Sequence, residues 1–393
     1  MNNFSDEHKV PFYRDERWLQ NAAQVISVVV VVGIILFIRK QFLSATEARG
    51  LVLSFDFLDL GAGFPISEAH IPYDPSMSLG RAFMVGLVNT LLVSVFGIVL
   101  ATILGTLVAL GRVSSNWLMN KAALIFVEFH RNIPLLVLLY IWYFTVFQNL
   151  PNVKESIILG DDLLVINQRG FFLTWPRLTE TGSIFMISIG IAVVVAYFAY
   201  TTLRKKREVS GVDTYYGRIS LGILIVVPLI GWFAADGTPF VADVPVLDGF
   251  NFKGGQRITP EFLGLLVALV TYTAGFIAEV VRAGLQAVHK GQQEAAQAVG
   301  LNYFQVLNLI IMPQALRIII PPMISQYLNL TKNSSLALII GYQDLFAVSK
   351  ITINNAGRAV PVFVLTMGSY LILSLLTSFV LNLYNRRIQL VTR

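Results

Sequence analysis

Eight long apolar stretches, separated by polar segments, divide this chain. Each stretch has 17 to 28 residues with few charges. An α-helix rises 1.5 Å per residue, so about 20 apolar residues cross the roughly 30 Å hydrocarbon core of a membrane. The pattern predicts an all-α polytopic membrane protein with about eight transmembrane helices. The predicted spans are 22–38, 83–110, 125–148, 183–203, 217–234, 261–282, 317–342 and 360–384.

The first apolar stretch could be a signal peptide or a retained helix. Its 17 residues cover about 26 Å as a helix, which is just long enough to span. Arg39 and Lys40 follow it directly, and no small-x-small cleavage site is evident. These features favour an uncleaved extra transmembrane helix at 22–38, preceded by a short polar segment at 1–21.

Composition agrees with a membrane protein. Apolar residues make up 55% of the chain and charged residues 13%, against roughly 25% charged in an average soluble domain. The net charge of +6 could suggest a nucleic-acid partner, but the basic residues lie beside the apolar stretches rather than in one patch. The absence of cysteine excludes disulfides and thiolate metal sites, and four scattered histidines give no reason to expect a metal.

The basic residues also predict the orientation in the membrane. With both termini in the cytoplasm, the inner segments hold 17 Lys and Arg and the outer segments hold 11. The block Arg204-Lys205-Lys206-Arg207 favours this orientation most strongly, whereas Arg39-Lys40 opposes it. The bias predicts both termini on the cytoplasmic side of a bacterial inner membrane. The outer segments are rich in Pro, Gly and acidic residues and are expected to be surface connections, with no ligand-binding domain among them.

A polar segment between the sixth and seventh spans contains an unusual pair of short helices. Ala and Gln favour a helix over 290–299, and Gly300 stands where a left-handed residue would end it. A second helix is predicted over 302–311, ending at Pro313. On the first helix Gly291, Ala295 and Ala298 share one face of small side chains, which suits close packing against a partner. Composition alone favours a short amphipathic connector that rests on the membrane surface.

The spacing within this segment resembles a known signature. Glu294-Ala295-Ala296 is followed after three residues by Gly300, and after nine more by Ile310-x-x-Pro313. This pattern resembles the signature loop of permeases in importers of the ATP-binding-cassette (ABC) class, with Met312 where Leu is usual. The resemblance implies a type I ABC importer permease core. It also implies that 284–316 is a cytoplasmic coupling loop that docks on an ATP-hydrolysing subunit through Glu294, Ala295, Ala296, Gly300 and Pro313.

Four further motifs resemble the permeases for polar amino acids. They are Gly86-Leu-Val-Asn-Thr-Leu-Leu92, Glu128-Phe-His-Arg-Asn-Ile-Pro-Leu-Leu-Val137, Pro313-Gln-Ala-Leu-Arg317 and Lys332-Asn-Ser-Ser-Leu-Ala337. The resemblance covers 83–385, interrupted by an inserted region near 150–260. This enlarged layout is most similar to the general L-amino-acid permease subunits. It implies transport of amino acids as part of a heterodimer with a second similar permease.

Charged and proline residues inside the spans are candidate functional positions. Lys332 is far from either end of its predicted span, where a charge costs about 3 kcal/mol unless it faces protein, water or ligand. It could pair with a neighbouring carboxylate or helix carbonyls, or it could bind the carboxylate of a substrate. In the second case Lys332, Asn333, Ser334 and Ser335 would line a substrate path. Pro321-Pro322 is interpreted as the start of the same span or as a hinge. Glu128 and Arg131, three residues apart, are expected to form a structural pair.

Several motifs that are typical of enzymes are absent from the sequence. There is no phosphate-binding Gly-x-x-x-x-Gly-Lys-Ser/Thr loop, and no nucleophile elbow or metalloprotease pair. We therefore expect no enzymatic activity and no cofactor on this chain, with ATP and Mg²⁺ bound by a pair of partner ATPase subunits. A periplasmic amino-acid-binding protein and membrane lipid are the other expected partners. The alternatives are a secondary transporter driven by an ion gradient, which the scarcity of acidic residues in the spans disfavours, and a non-transporting membrane scaffold.

Overall fold

The computed structural model describes residues 16–48, 54–235 and 237–388. Its α-helices are α1 (Glu16–Ala48), α2 (Leu79–Val113), α3 (Trp117–Asn132), α4 (Leu135–Tyr140), α5 (Gly182–Ser210), α6 (Tyr216–Ala234), α7 (Pro260–Gln286), α8 (Lys290–Ala298), α9 (Tyr303–Gln305), α10 (Met312–Asn333), α11 (Leu345–Ala356) and α12 (Ala359–Ile388). A π-helical segment, Ile141–Phe147, continues α4, and another, Val306–Ile311, joins α9 to α10. Short 3-10 helices lie at Asp56–Asp59, Val153–Glu155 and Ser334–Ile340.

Seven helical segments of the described chain are long and apolar enough to cross a membrane, and a bent pair would be an eighth. This confirms the prediction of an all-α polytopic protein with about eight spans. The spanning segments are Trp18–Gln41, Leu79–Val113, Gly182–Ser210, Tyr216–Ala234, Pro260–Gln286, Val306–Ile340 and Ala359–Leu383. The predicted segment 1–21 lies mostly outside the described residues.

The third predicted span, 125–148, is not one straight helix. It consists of α3 and the α4 segment, which meet at an angle of 106°. Pro134 explains the break, because proline has no backbone N–H and excludes the helical conformation from the residue before it. Ile133 accordingly has the extended angles φ −96° and ψ 130°.

The predicted boundaries around the seventh span were wrong in two respects. Pro313 does not end a helix but lies directly after the π-helical segment 306–311, inside one continuous helical stretch. The predicted helix 302–311 therefore runs through a π-helical segment into the span. Pro321 and Pro322 lie inside α10 and do not start it. The regular helix instead ends at Asn333, and a 3-10 helix continues to Gly341, whose φ is +83°.

The core is built where α2, α7 and α10 cross. Its apolar side chains include Val93 and Ala101 of α2, Leu269 and Ile277 of α7, and Leu330 of α10. Glycines bring the helices together, as in many membrane bundles. A Cβ on Gly105 would lie 2.6 Å from Ile277 Cγ2, and one on Gly97 would lie 3.0 Å from Leu330 Cδ2. The helix backbones are therefore in near contact.

Two outer segments that the sequence predicted to be surface connections fold into antiparallel strands. Four strands form a sheet in the order β1 (Ile157–Leu159), β2 (Leu164–Asn167), β3 (Gly170–Leu173), β8 (Gln256–Ile258). Two ribbons pair β4 (Trp175–Leu178) with β5 (Phe240–Asp243) and β6 (Val246–Asp248) with β7 (Asn251–Lys253). The alternation of buried and half-buried residues in β2 and β3 is the period expected of strands, and it was too short to detect in sequence.

The helices α5 and α6 form an antiparallel hairpin beside the core. Their buried residues are small, among them Ser188 and Ala192 of α5 and Gly231 of α6. Outside the charged block at 204–208, most of the exposed surface of both helices is apolar. Such a surface suits lipid, because hydrocarbon tails are as apolar as the side chains.

Candidate functional site

The short polar helix predicted over 290–299 is observed as α8. It begins at His289, whose Nδ1 accepts a hydrogen bond from the Gly291 backbone N–H at 3.1 Å. It ends at Gly300, which has φ +85°. The Gly300 N–H donates to the Gln297 carbonyl, and the Leu301 N–H donates to the Ala296 carbonyl. Only glycine adopts this left-handed conformation without a steric penalty, which explains the residue at this position.

The two faces of α8 differ sharply. Ala296 is only 6% exposed and packs inward, where the helix contacts the π-helical segment 306–311. Glu294, Ala295 and Ala298 are exposed on the face of α8 that points away from this contact. Because these side chains are small apart from Glu294, a partner could approach the backbone of α8 closely. Of the predicted coupling residues, Ala296 thus supports the helix from within, and Glu294 and Ala295 lie on its free surface.

The helix α8 lies beside the ends of three core elements. A cavity of about 520 Å³ is lined by Val113, Leu285, Gln286, Val288, His289, Lys290, Gln293 and Ile311. These residues belong to the ends of α2 and α7, to α8 and its preceding turn, and to the π-helical segment before α10. Pro313 begins α10 immediately after this segment. A force applied to α8 would therefore reach α7 and α10 through very short connections.

Lys332 lies in the last turn of the regular helix α10, and its side chain is exposed. Within the part of the chain that the structure describes, no carboxylate lies within ion-pair distance of its ammonium group. A cation at a helix C-terminus is stabilised by the nearby unpaired carbonyls. Leu330, two residues earlier, contacts α2 at Gly97 near the middle of that helix, so Lys332 lies close to the level of the middle of α2.

The other three residues of the predicted substrate path differ in accessibility. Asn333 and Ser335 are half-buried, and Ser334 is fully buried. The hydroxyls of Ser334 and Ser335 donate to the Thr331 and Lys332 carbonyls, each at 2.8 Å. These hydrogen bonds satisfy backbone carbonyls at the end of α10, where the helix changes to a 3-10 conformation. Lys332 is the member of this set with a fully accessible side chain.

The expected pair between Glu128 and Arg131 was wrong. The Glu128 carboxylate instead accepts a hydrogen bond from Asn132 Nδ2 at 3.0 Å. The Arg131 guanidinium lies over the ring of Phe276 in α7, 5.4 Å from its centroid. The break at Pro134 fixes Asn132 at the end of α3, and this position brings its amide to Glu128.

A charged cluster that sequence reasoning did not identify joins α2 and α7 near α8. The Glu279 carboxylate accepts hydrogen bonds from Nε and from an Nη of Arg282, the shortest at 2.7 Å. Arg112 of α2 approaches the same carboxylate at 3.5 Å. The i, i+3 spacing of Glu279 and Arg282 is a signal that could have predicted their pairing.

Asp344 is a second feature that the sequence analysis missed. Its carboxylate caps α11 by accepting from the Ala347 N–H at 2.9 Å, and it accepts from the Tyr370 hydroxyl at 3.0 Å. Burial raises the pKa of this fully buried carboxyl to about 6. An aspartate directly before a helix is a common N-cap, which is the sequence signal for its role.

Asn89 of α2 fastens the outer segments to the core. Its amide donates to the backbone carbonyls of Glu68 and Gln343, both at 2.9 Å. The Glu68 side chain in turn accepts from the Thr259 hydroxyl, which caps α7. The residues before α2 and the turn before α11 are thereby held together near the N-terminal ends of α2 and α7.

Comparisons with known proteins agree with this architecture. A family model described as "Binding-protein-dependent transport system inner membrane component" matches residues 219–390. A putative amino-acid ABC transporter permease protein of Escherichia coli K12 is 41% identical over 371 residues, covering 94% of each chain. The general L-amino acid transport system permease protein of Rhizobium johnstonii is 41% identical over 375 residues, covering 94% of this chain and 92% of its own.

A third relative is the glutamate/glutamine/aspartate/asparagine transport system permease protein of Rhodobacter capsulatus. It is 36% identical over 401 residues, covering 94% of this chain and 93% of its own. These matches support the ABC importer interpretation and not a secondary transporter driven by an ion gradient. Identity at this level over nearly the full length shows that the chain belongs to the amino-acid permeases of binding-protein-dependent ABC importers, multi-pass proteins of the inner membrane.

Proposed function

We propose that α8 is the coupling helix through which a partner ATPase drives this permease. The observation that supports this most directly is the exposed face of Glu294, Ala295 and Ala298, which ends at the left-handed Gly300. A groove on the ATPase would receive this face, and ATP and Mg²⁺ would be bound there, on the partner. Closure of the ATPase pair would move α8, and its short links to α7 and α10 would change the packing of the core.

We infer that both termini lie on the cytoplasmic side, together with α8. If the α3 and α4 segments form one broken crossing, the chain crosses the membrane eight times. An even number of crossings returns the C-terminus to the side of the N-terminus. The cavity beside α8 brings together the ends of α2, α7 and α10, which supports assigning all three ends to one membrane face.

We propose that the complex contains two permease chains, this one and a similar second one, with a periplasmic binding protein delivering amino acids. Lys332 is exposed on the core close to the level of the middle of α2, where contact with lipid would be costly. A translocation path between the two permeases would solvate this charge. Lys332, Asn333, Ser334 and Ser335 would then lie along the path, with Lys332 contacting the substrate. Lipid would surround α1 and the α5–α6 hairpin.

The energy source can be tested in proteoliposomes that contain both permeases and the ATPase pair. We expect accumulation of a labelled L-amino acid only when ATP is present on the α8 side and the binding protein is present on the other side. Ionophores that abolish proton and sodium gradients should leave the rate unchanged. Uptake that continues without ATP and stops with ionophores would contradict this function.

A further inference from the structure

The bend between α3 and α4 lies level with the middle of the spanning helix α7. Gly275 is near the middle of α7, and a Cβ built on it would lie 3.3 Å from Arg131 Cγ and 3.4 Å from His130 Cβ. The last turn of α3 is therefore level with the middle of a helix long and apolar enough to cross the membrane. Helices broken at this depth occur where the freed backbone lines a water-filled cavity or is buried in protein. Asn132 and Pro134 at the break are exposed in this chain.

Two oppositely charged residues lie three positions apart in the last turn of α3. Glu128 and Arg131 are both exposed, although an i, i+3 pair of this kind would ordinarily neutralise itself. The cation–π contact with Phe276 holds the Arg131 guanidinium away from Glu128. The Glu128 carboxylate accepts only the neutral amide of Asn132. Each charge thus keeps hydrogen-bonding capacity that is not used within the described residues.

One acidic group, Glu279 of α7, lies within electrostatic range of Arg131, but its carboxylate is already bound by other groups. Glu279 lies one turn of α7 beyond Phe276, and its carboxylate is already bonded by Arg282 and approached by Arg112. A second guanidinium and a carboxylate at this level are costly unless they meet water, a partner or a ligand. The ligand that matches a separated positive and negative charge is a zwitterion.

We propose that Glu128 and Arg131 bind the head group of an α-amino acid, Arg131 its carboxylate and Glu128 its ammonium group. A guanidinium suits this role because its planar fork matches the two oxygens of a carboxylate. The Phe276 ring orients the fork, and Asn132 orients the Glu128 carboxylate. The site recognises the carboxylate and ammonium groups that all L-amino acids share and does not discriminate between their side chains. The proposal rests on the function proposed above, that the chain carries amino acids along its exposed core surface.

The two halves of the site can be tested separately with three ligands. The probes are L-glutamine, L-glutamine α-amide, which lacks the carboxylate, and glutaramic acid, which lacks the amino group. Displacement of labelled L-glutamine from the purified permease–ATPase complex gives an affinity for each. Arg131→Met should weaken L-glutamine roughly 10- to 150-fold, the range for a charge-assisted hydrogen bond, and should barely change the α-amide. Glu128→Gln should weaken L-glutamine and barely change glutaramic acid.

Two further variants exclude a merely structural effect. Arg131→Lys keeps the charge without the fork and should give an intermediate affinity for L-glutamine. Lys121→Gln changes an exposed cation on the same helix, away from the break, and should alter none of the three affinities. Equal loss for all three ligands, or no change for any, would overturn the proposal. Failure of Arg131→Met to assemble would also overturn it, because Arg131 would then pair with another subunit. ATP-driven uptake by the wild-type complex is scored separately and tests only the proposed function.

Discussion

Lys332 shows how a charge is accommodated at the end of a helix within a predicted span. It occupies the last turn of α10, where helix carbonyls are unpaired and the hydroxyls of Ser334 and Ser335 satisfy part of them. The sequence indicates an isolated charge within a predicted span. It could not indicate that the regular helix stops there, because no proline or glycine stands between Lys332 and Gly341.

If Lys332 contacts the substrate carboxylate at a point of the path separate from the site at Glu128 and Arg131, Lys332→Met should weaken amino-acid affinity at that point. The methionine keeps much of the volume but loses a charge-assisted hydrogen bond of about 1.5–3 kcal/mol, equivalent to roughly 10- to 150-fold in affinity. Assembly and basal ATP hydrolysis should remain normal. A drop in thermal stability with unchanged affinity would show that Lys332 has only a structural role.

Asp344 makes the stability of the protein depend on pH. Its folded pKa of about 6 lies above the ordinary value of 3.8, so the folded protein holds this proton more tightly than the unfolded chain. The contribution is therefore present at low pH and is lost as pH rises through about 6. Asp344→Asn should keep the N-cap and remove this dependence.

The melting temperature of the solubilised complex between pH 4.5 and 7.5 provides the measurement. The wild-type protein should lose more stability over this interval than Asp344→Asn, and the exposed Asp59→Asn should follow the wild type. Parallel curves for all three proteins would show that Asp344 does not titrate in this range.

At the scale of elements, the close crossing of α2 and α7 depends on glycine. Gly105→Ala would place a Cβ 2.6 Å from Ile277 Cγ2, so one of the helices must move. We expect a loss of about 1–3 kcal/mol of stability, as for overpacked cores. Gly190→Ala is the matched control, because no atom lies within 4 Å of its Cβ and alanine favours helix. Thermal unfolding of both variants checks this, and equal melting temperatures would argue against a tight crossing.

The elements also show which structural features can be predicted from a single sequence. Long apolar runs predicted the membrane helices, because hydrophobic length is a property of the local sequence. The helix α8 and its end at Gly300 were predictable for the same reason. The strands β1 to β8 have three or four residues each, and two of their pairings join distant segments, such as Leu173 with Gln256. The third predicted span looked continuous in sequence, because a proline within an apolar run can be tolerated in a helix. The structure shows instead a 106° bend at Pro134.

At the scale of the whole molecule, the coupling segment and the exposed charged residues lie at different levels of the helix bundle. The exposed face of α8 lies beside the ends of α2 and α7, whereas Arg131 and Lys332 lie near the level of the middle of α7 and α2. Motif spacing could predict the coupling segment because its parts are contiguous in sequence. The site at Glu128 and Arg131 could not be predicted, because their separation depends on Phe276, 145 positions after Arg131 in the chain.

The central claim, that α8 couples the permease to ATP hydrolysis, depends on Gly300. At φ +85° a β-branched residue is strongly strained, whereas asparagine adopts this conformation at little cost, and no neighbouring atom would obstruct either side chain. ATP-driven amino-acid uptake by proteoliposomes with Gly300→Val, Gly300→Asn or the wild-type chain is therefore the most direct test. We predict that Gly300→Val, although normally inserted, loses about tenfold or more of the wild-type rate, as expected for a strain near 1.4 kcal/mol or above. Gly300→Asn should retain most of that rate, and wild-type uptake by Gly300→Val would contradict the account.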